Sequence, residues 1–337
     1  MSDDLIRVVD VHRRYPVRRG WLGRTRALSA VSGVSFSVAH GETYGLVGES
    51  GSGKSTIARL VLAAERPSSG EVRVAGIPVS ELRGSAEKKL RRLLQPVLQD
   101  PYGALSPLMS VAKIVAEPLR AHGMHQGEAQ GRAVDALLAS VGLPPAIGKR
   151  LPHQLSGGQR QRVAIARALA LEPRAIVLDE PVSALDVSVQ GQVLNLLKDL
   201  QAARGLSYLL ISHDLAVVAY MAHRIGVLYL GQFMEEGTRD DVIRQARHPY
   251  TQVLIASGAA QIDAPAARGE IPSPLDLPAG CPFQARCPYA LQRCRDELPA
   301  LRAISATHRI ACHVDLPAVD ASSSSAPSRP TLQTGVR

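Results

Sequence analysis

A glycine-rich segment near the start of the chain constrains the fold more than any other feature. Residues Gly48–Ser55 read Gly-Glu-Ser-Gly-Ser-Gly-Lys-Ser, which fits the phosphate-loop pattern G-x-x-x-x-G-K-[ST]. The apolar stretch Thr43–Val47 precedes this segment, and the helical stretch Ser55–Ala64 follows it. Glycines let the backbone curl, so that successive N–H groups and the N-terminus of the helix face phosphate oxygens. The sequence therefore predicts a strand–loop–helix unit that binds phosphate groups.

Strand and helix patterns alternate over the first three quarters of the chain. Continuous apolar runs are typical of strands buried on both faces of a parallel sheet, and they occur at Ala175–Leu178, Tyr208–Ile211 and Gly226–Leu230. Apolar residues from Val189 to Leu200 keep a helical spacing, and Gly205 follows as a stop signal. Alternating strands and helices predict an α/β fold with a mostly parallel sheet.

The remaining patterns divide the chain into segments. Short alternating strands are indicated at Val34–Val38 and Glu71–Val74, whereas Val111–Arg120 and Glu128–Val141 read as helices of an insertion. Beyond about His248 the composition shifts to proline and cysteine, and the chain ends in a serine- and proline-rich stretch. We therefore expect a core in two parts, at 1–98 and 157–248, with a helical subdomain between them, at 99–156, that ends in a signature motif. An extension should follow at 249–316 and a disordered tail at 317–337.

The overall composition excludes several classes of protein. No apolar stretch approaches the roughly 18 residues that a membrane span requires, and the acidic start, Met1–Asp4, lacks the apolar core of a signal peptide. The net charge is +9, but the basic residues are dispersed and few aromatic residues accompany them. We expect a cytoplasmic protein whose basic surface lies beside a membrane, and no nucleic-acid partner.

Two acidic residues complete the predicted phosphate site. The apolar run Ile176–Leu178 ends in Asp179 and Glu180. At the end of a buried strand, Asp179 can reach a Mg²⁺ ion through water, while Lys54 neutralises the β- and γ-phosphates and Ser55 holds the same ion. Glu180, one residue further, can act as the general base for an attacking water.

The segment Leu155-Ser156-Gly157-Gly158-Gln159 resembles the signature motif of ABC-type ATPases. Ser156 suits a helix N-cap, and the two glycines leave N–H groups accessible to an anion. The resemblance implies a RecA-like P-loop NTPase core with an antiparallel β subdomain, an α-helical insertion and a small cysteine-containing C-terminal extension. It also implies that ATP and Mg²⁺ are the ligands.

Other residues occupy the places of that family's motifs in the same order. Tyr15 looks like the aromatic residue that stacks on adenine, and Gln99 like the glutamine that reaches Mg²⁺. Ser183 and Asp186 match the loop that crosses to the opposite subunit, and His213 resembles the switch histidine that contacts the γ-phosphate. The resemblance implies that ATP contacts Tyr15, Gly48, Ser50, Gly51, Ser52, Gly53, Lys54, Ser55, Thr56 and Gln99. Ser156, Gly157, Gly158 and Gln159 would contact the ATP of a partner chain, and Ser55, Gln99 and Asp179 the Mg²⁺ ion.

Several further segments are similar to the ATP-binding subunits of dipeptide, oligopeptide and nickel importers. They are Val47–Gly51, Gln99–Tyr102, Leu105–Pro107, His248–Thr251 and Gly280–Phe283. The resemblance implies a peripheral protein on the cytoplasmic face of a bacterial inner membrane, with two permease subunits and an extracytoplasmic solute-binding protein as partners. It also implies a second ATPase subunit, because the N-terminal half is more similar to the second of two such subunits. A soluble ABC ATPase, an exporter subunit and a non-hydrolysing regulatory module are the competing interpretations.

All four cysteines lie in the predicted extension, at Cys281, Cys287, Cys294 and Cys312. Such a group in a cytoplasmic protein indicates metal binding rather than disulfides. The spacing lacks the paired C-x-x-C knuckles of a zinc ribbon, whereas four thiolates can hold an iron–sulfur cluster. The family resemblance favours a [4Fe–4S] cluster, with Zn²⁺ and free structural thiols as the alternatives.

Overall fold

The structure, a computed structural model, describes residues 4–18, 25–258, 269–270 and 272–317. The strands are β1 (Asp4–Arg18), β2 (Thr25–Ala39), β3 (Thr43–Val47), β4 (Ser69–Val74), β5 (Ile77–Pro78), β6 (Leu94–Val97), β7 (Ala175–Asp179), β8 (Ser207–Ser212), β9 (Arg224–Tyr229), β10 (Gln232–Thr238), β11 (Arg302–Ala303) and β12 (Arg309–Ile310). The predicted disordered tail, 317–337, lies outside the described residues from position 318 onward.

The helices surround and connect these strands. They are α1 (Lys54–Val61), α2 (Ser85–Leu93), α3 (Pro101–Ala104), α4 (Val111–Ala121), α5 (Glu128–Ser140), α6 (Gly157–Leu169), α7 (Val187–Arg204), α8 (Leu215–Met221), α9 (Arg239–Arg244), α10 (Pro249–Gly258) and α11 (Arg293–Asp296). Gly205, in the left-handed conformation, ends α7 as its sequence predicts. Within the described ranges, we find no helix with the length and apolar character that crossing a bilayer requires.

The larger sheet forms the centre of the molecule. Its strand order is β11-β12-β10-β9-β3-β8-β7-β6, and the five strands from β9 to β6 are parallel. Successive residues of a strand point to opposite faces. Ile176 and Leu178 therefore join an apolar cluster with α4–α8, while Ala175 and Val177 join a second cluster on the other face. Burial on both faces explains why these strands read as continuous apolar runs.

A smaller antiparallel sheet covers the second face, in the order β2-β1-β4-β5. Phe36 of β2 stacks on Tyr44 of β3 with ring centroids 4.8 Å apart, which joins the two sheets through aromatic packing. The mostly parallel core, the antiparallel subdomain and the helical stretch α3–α5 confirm the predicted P-loop NTPase architecture. The sequence did not predict β6, β10 or β12.

The C-terminal extension is joined to the larger sheet through β12. Two glutamates of β10, Glu235 and Glu236, have buried side chains. His308 Nε2 lies 2.6 Å from Glu235 Oε1, and the guanidinium of Arg309 donates a hydrogen bond to Glu236. Because a buried carboxylate is costly without partners, these contacts attach the extension firmly to the core.

Candidate functional site

The phosphate loop connects β3 to α1 in a curled backbone conformation. Gly48 and Gly53 have φ angles of 152° and 104°, which L side chains rarely adopt. A Cβ atom at Gly48 would lie 2.1 Å from the carbonyl oxygen of Leu228, and one at Gly53 would lie 2.4 Å from that of Ala30. Only glycine therefore fits at both positions, and Gly53 leaves the N-terminus of α1 without a side-chain cap.

The ammonium of Lys54 is buried inside this loop. Its Nζ atom donates to the carbonyl oxygens of Gly48 and Glu49, at 2.7 and 2.9 Å. It also donates to the hydroxyl of Ser52 at 3.3 Å. Burial lowers the pKa of Lys54, and the carboxylates of Glu180 and Asp179 oppose that shift. The loop thus places a cation where phosphate groups can approach it.

A pair of hydrogen bonds fixes the carboxylate of Glu180 at the end of β7. Gln99 Nε2 donates to Glu180 Oε2 at 2.7 Å, and His213 Nδ1 lies 2.9 Å from Glu180 Oε1. Glu180 itself has a φ of 49°, an uncommon conformation for a residue with a side chain. The structure therefore brings together the predicted general base Glu180, the predicted switch histidine His213 and the predicted Mg²⁺ ligand Gln99.

Asp179 lies between this group and the phosphate loop. Its Oδ1 atom is buried without a hydrogen-bond partner in the described residues. Burial raises the pKa of Asp179 and the charge of Glu180 raises it further, whereas the cations Lys54 and Arg59 and the neighbouring Ser55 hydroxyl oppose the shift. An unpaired buried carboxylate oxygen beside a hydroxyl group fits a site that a water-coordinated Mg²⁺ ion completes.

Lys54, Gln99 and Glu180 line one open cleft of about 460 Å³, whereas Asp179 and His213 are not part of its wall. The predicted ATP contacts on its wall are Tyr15, Ser50, Gly51, Ser52, Gly53, Lys54, Ser55, Thr56 and Gln99. The hydroxyl of Tyr15 donates to Glu65, and the guanidinium of Arg13 lies 4.5 Å from the centre of the Tyr15 ring. Gly48 lies at the base of the loop rather than on the wall.

The signature segment forms a second glycine-rich helix N-terminus, at the start of α6. The Ser156 hydroxyl accepts from the Gln159 amide at 3.3 Å, and the Gln159 side chain accepts from the Ser156 amide at 3.1 Å. This reciprocal pair is a capping box. Among the described residues, none of the four signature residues lines the phosphate cleft.

The loop Ser183–Asp186 lies between the acidic residues and α7. Ser183 Oγ donates to the carbonyl oxygen of Glu180 at 3.2 Å, and Asp186 is the exposed N-cap residue of α7. Leu185 lies close to Gly157, and Val189 lies close to Gly158. The crossing loop and the signature segment therefore share one surface of the molecule.

The four cysteines of the extension have free thiols. Burial raises the pKa of Cys281 to about 12 and that of Cys287 to about 11, and neighbouring thiols add to both shifts. Burial also raises the pKa of Cys312. Among the described residues, no group of three or more His, Cys, Asp and Glu side chains is placed so that it could hold a single metal ion.

Sequence reasoning missed several contacts between the extension and the cleft. Pro274 lines the cleft, and Arg286 forms two hydrogen bonds with Glu49 of the phosphate loop. Glu49 falls on a variable position of the phosphate-loop pattern, and Arg286 is 237 residues away from it along the chain. No local sequence signal joins two positions so far apart.

Comparisons with known proteins agree with this geometry. The ABC transporter family profile matches residues 31–183, and the C-terminal region of oligopeptide/dipeptide transporters matches residues 234–294. The oligopeptide transport ATP-binding protein AppF of Bacillus subtilis is 42% identical over 93% of this chain and 98% of its own length. The chain belongs to the ATP-binding proteins of peptide ABC transporters.

A second relative and a solved structure support the assignment. The dipeptide transport ATP-binding protein DppF of Escherichia coli is 43% identical over 90% of this chain and 92% of its own length. The solved dimer of the ATP-binding cassette MJ0796 with ADP and phosphate is 31% identical, with a TM-score of 0.62 over 69% of this chain and 98% of that one. As an ABC ATPase, the chain binds and hydrolyses ATP with Mg²⁺.

Proposed function

We propose that the chain hydrolyses MgATP in the cleft beside the phosphate loop in order to drive peptide uptake. The loop amides, Lys54 and Thr56 bind the phosphate groups, and Tyr15 supports the adenine. Ser55, Gln99 and Asp179 hold the Mg²⁺ ion, directly or through water. The unpaired Oδ1 of Asp179 supports this ion site.

Hydrolysis requires a base beside the terminal phosphate. Glu180 accepts a proton from water as the water oxygen attacks the γ-phosphorus and the bond to the β-phosphate breaks. Gln99 and His213 orient the Glu180 carboxylate, because each holds one of its oxygens. This three-residue contact carries the proposal, since a purely structural carboxylate would not need to lie at the mouth of a phosphate cleft.

The active unit requires a second ATPase chain. The signature residues Ser156–Gln159 lie away from this chain's own cleft, and the solved cassette MJ0796 is dimeric. We infer that they bind the ATP of the partner, with Ser183 and Asp186 at the contact between subunits. The partner is a related but different chain, so that the dimer is heteromeric.

The ATPase pair acts on two permease subunits at the cytoplasmic face of the membrane, and an extracytoplasmic binding protein delivers the solute. Peptides are the proposed solute because the relatives AppF and DppF are oligopeptide and dipeptide transport proteins. The match of the extension to the oligopeptide/dipeptide transporter region adds support. The alternative solute is nickel or another small molecule.

A complementation experiment tests both the chemistry and the solute. The experiment uses a strain of the source organism that lacks this gene and requires one amino acid for growth. The strain receives that amino acid only as di- or oligopeptides. The parent gene should restore growth, whereas Glu180→Gln should not, although that variant still binds ATP. Restored nickel-dependent urease activity without restored peptide use would instead support the nickel alternative.

We further propose that the four thiols of the extension hold a [4Fe–4S] cluster. The backbone amide of Val314 donates to the sulfur of Cys312 at 3.4 Å, and hydrogen bonds to the sulfurs are among the features that tune an iron–sulfur cluster. A single Zn²⁺ ion needs four ligands about 2.3 Å from one point, and the described residues offer no such group. In a [4Fe–4S] cluster each of the four thiolates binds its own iron, so the four sulfurs surround the cluster rather than one ion.

Chemical analysis of protein purified without oxygen tests the cluster. About four irons and four acid-labile sulfides per chain are expected. One zinc ion per chain would favour the alternative metal, and no metal would leave four structural thiols. The ATPase assignment does not depend on the outcome, because the cysteines lie outside the residues assigned to the phosphate cleft.

A further inference from the structure

An ion pair joins the cysteine segment, Cys281–Cys294, to the phosphate loop. The two terminal nitrogens of Arg286 donate to the two carboxylate oxygens of Glu49, with Nη1–Oε2 at 2.6 Å and Nη2–Oε1 at 3.0 Å. The exposed fractions of the two side chains are 11% and 25%. A two-pronged guanidinium–carboxylate contact fixes orientation as well as distance, so that it constrains both segments.

Glu49 is the residue through which such a constraint reaches the nucleotide. Its amide donates to the Tyr250 hydroxyl at 2.9 Å, and its carbonyl oxygen accepts from the ammonium of Lys54 at 2.9 Å. The side chain, amide and carbonyl of one loop residue are therefore all engaged. A shift of Glu49 would displace a main-chain partner of Lys54, the cation that faces the phosphates.

The position of Arg286 depends in turn on the folded cysteine segment. Its amide donates to the carbonyl oxygen of Phe283 at 3.0 Å, and the Cys281 amide donates to that of Cys294 at 2.8 Å. The Phe283 ring packs against Tyr250 and Tyr229, with centroids 5.3 and 5.5 Å away. The same aromatic cluster therefore contains the hydroxyl that holds the Glu49 amide.

The extension contacts the cleft at a second place. Pro274 forms part of the cleft wall, and the guanidinium of Arg26 on β2 donates to the carbonyl oxygen of Leu275 at 3.3 Å. Asp276 completes this contact as the ionic partner of Arg26. The extension thus contacts the nucleotide cleft at two places, its wall and the phosphate loop.

We propose that Arg286 is a positioning residue for ATP binding, which holds the phosphate loop through Glu49 and makes ATP affinity depend on the folded cysteine segment. A loop with several glycines is intrinsically mobile. Anchoring it before ATP arrives reduces the conformational entropy that binding must remove. Loss of the anchor should therefore weaken ATP binding more than it slows the turnover of bound ATP.

A double-mutant cycle on the full-length chain tests the contact. The dissociation constant of MgATP is measured by displacement of a fluorescent ATP analogue from the parent, Arg286→Gln, Glu49→Gln and the double variant. Each single variant should weaken ATP binding by about five- to tenfold, and the double variant should be no more than about twofold weaker than either. KM for ATP should rise in parallel, while kcat stays within about twofold.

Two further variants separate positioning from general stability. Arg293→Gln, in the same segment, removes an exposed ion pair with Glu297, which lies just beyond it, and it should leave ATP binding within about twofold of the parent. Arg286→Lys keeps the charge but loses the two-pronged geometry, so we expect partial recovery. Reaction rates of the cysteines with a thiol reagent show whether the segment remains folded in each variant.

A substitution in the cysteine segment tests whether ATP affinity depends on that segment. Cys281→Ser should weaken ATP binding in the parent but add little in the Arg286→Gln background, because the anchor is already absent there. Equal effects in both backgrounds would overturn this part of the proposal. If Glu49→Gln binds ATP within twofold of the parent, the anchor is refuted, whatever happens to the folding of Arg286→Gln.

Discussion

The molecule has two glycine-rich helix N-termini with opposite local chemistry. At the start of α1 the cap residue is Gly53, the amides have no side-chain partner, and the buried ammonium of Lys54 adds positive charge. At the start of α6 the side chains of Ser156 and Gln159 satisfy part of the helix end, and no cation is buried among the four signature residues. The first helix end offers an anion free amides beside a buried cation, whereas the second offers amides that its own side chains already cap in part.

The glycines at the two sites differ in the same way. At Gly48 and Gly53 a Cβ atom would meet main-chain carbonyl oxygens, so no movement of a side chain could make room. At Gly158 a Cβ atom would lie 2.5 Å from Cγ1 of Val189, the end of a side chain. Space at the signature can therefore be restored by a second substitution, and space at the phosphate loop cannot.

The largest expected effect is at the phosphate loop. Lys54→Met keeps the length of the side chain but removes its charge, and ATP hydrolysis should fall on the order of 10²–10³-fold because the phosphates lose their buried cation. Steady-state hydrolysis and analogue binding measure the loss. Lys88→Met, at an exposed position on α2, serves as the matched control. If the Lys54 variant bound ATP as tightly as the parent, the buried cation would not distinguish the start of α1 from the start of α6.

An intermediate effect is expected at the signature glycine. Gly158→Ala should reduce hydrolysis by about 10²-fold and also lower stability, since overpacking costs about 1–3 kcal/mol. Adding Val189→Ala should restore the unfolding midpoint, measured by thermal unfolding, but not the hydrolysis. Recovery of hydrolysis in the double variant would show that Gly158 serves packing alone, and not access of an anion to the helix amides.

The smallest effect is expected at the helix cap. Ser156→Ala removes the cap bond and should cost about 1 kcal/mol of the free energy of unfolding, together with a loss of about tenfold in hydrolysis. Ser110→Ala is a suitable control, because Ser110 is the N-cap residue of α4 without a side-chain cap bond. Denaturant unfolding compares the two. Equal destabilisation would mean that the capping box of α6 has no specific contribution.

The sequence predicted those parts of the fold that have a local pattern. The buried strands β7, β8 and β9 have continuous apolar runs, and α7 has a helical spacing with a glycine stop, so each was identified. Strand β6 was not, because it is a short edge strand with a proline, Pro96, and a polar residue, Gln95. Strand β12 pairs with β10 across more than 70 residues, and no local pattern records such a pairing. Strand β10 also forms a hairpin with β9 through Leu230 and Gly231, a local feature that the sequence analysis missed.

In the candidate site, too, local motifs were predictable and contacts between distant residues were not. The sequence motifs located the cleft residues and the carboxylate of Glu180, because each motif is a short run with a fixed chemical pattern. Their individual roles remain predictions. The Arg286–Glu49 contact could not be predicted, since it depends on how the extension folds back over the core.

The buried glutamates of β10 bear on how this protein family can change over evolutionary time. Loss of the region that carries His308 and Arg309 would remove one hydrogen-bond partner from each of Glu235 and Glu236, and a buried carboxylate with fewer partners is costly. A lineage that discards the extension is therefore under pressure to replace these glutamates with apolar residues, and less so at Glu236, which keeps its ion pair with Arg224. Shortened relatives are expected to carry such replacements at these two positions, and relatives that retain both glutamates are expected to retain the C-terminal histidine and arginine.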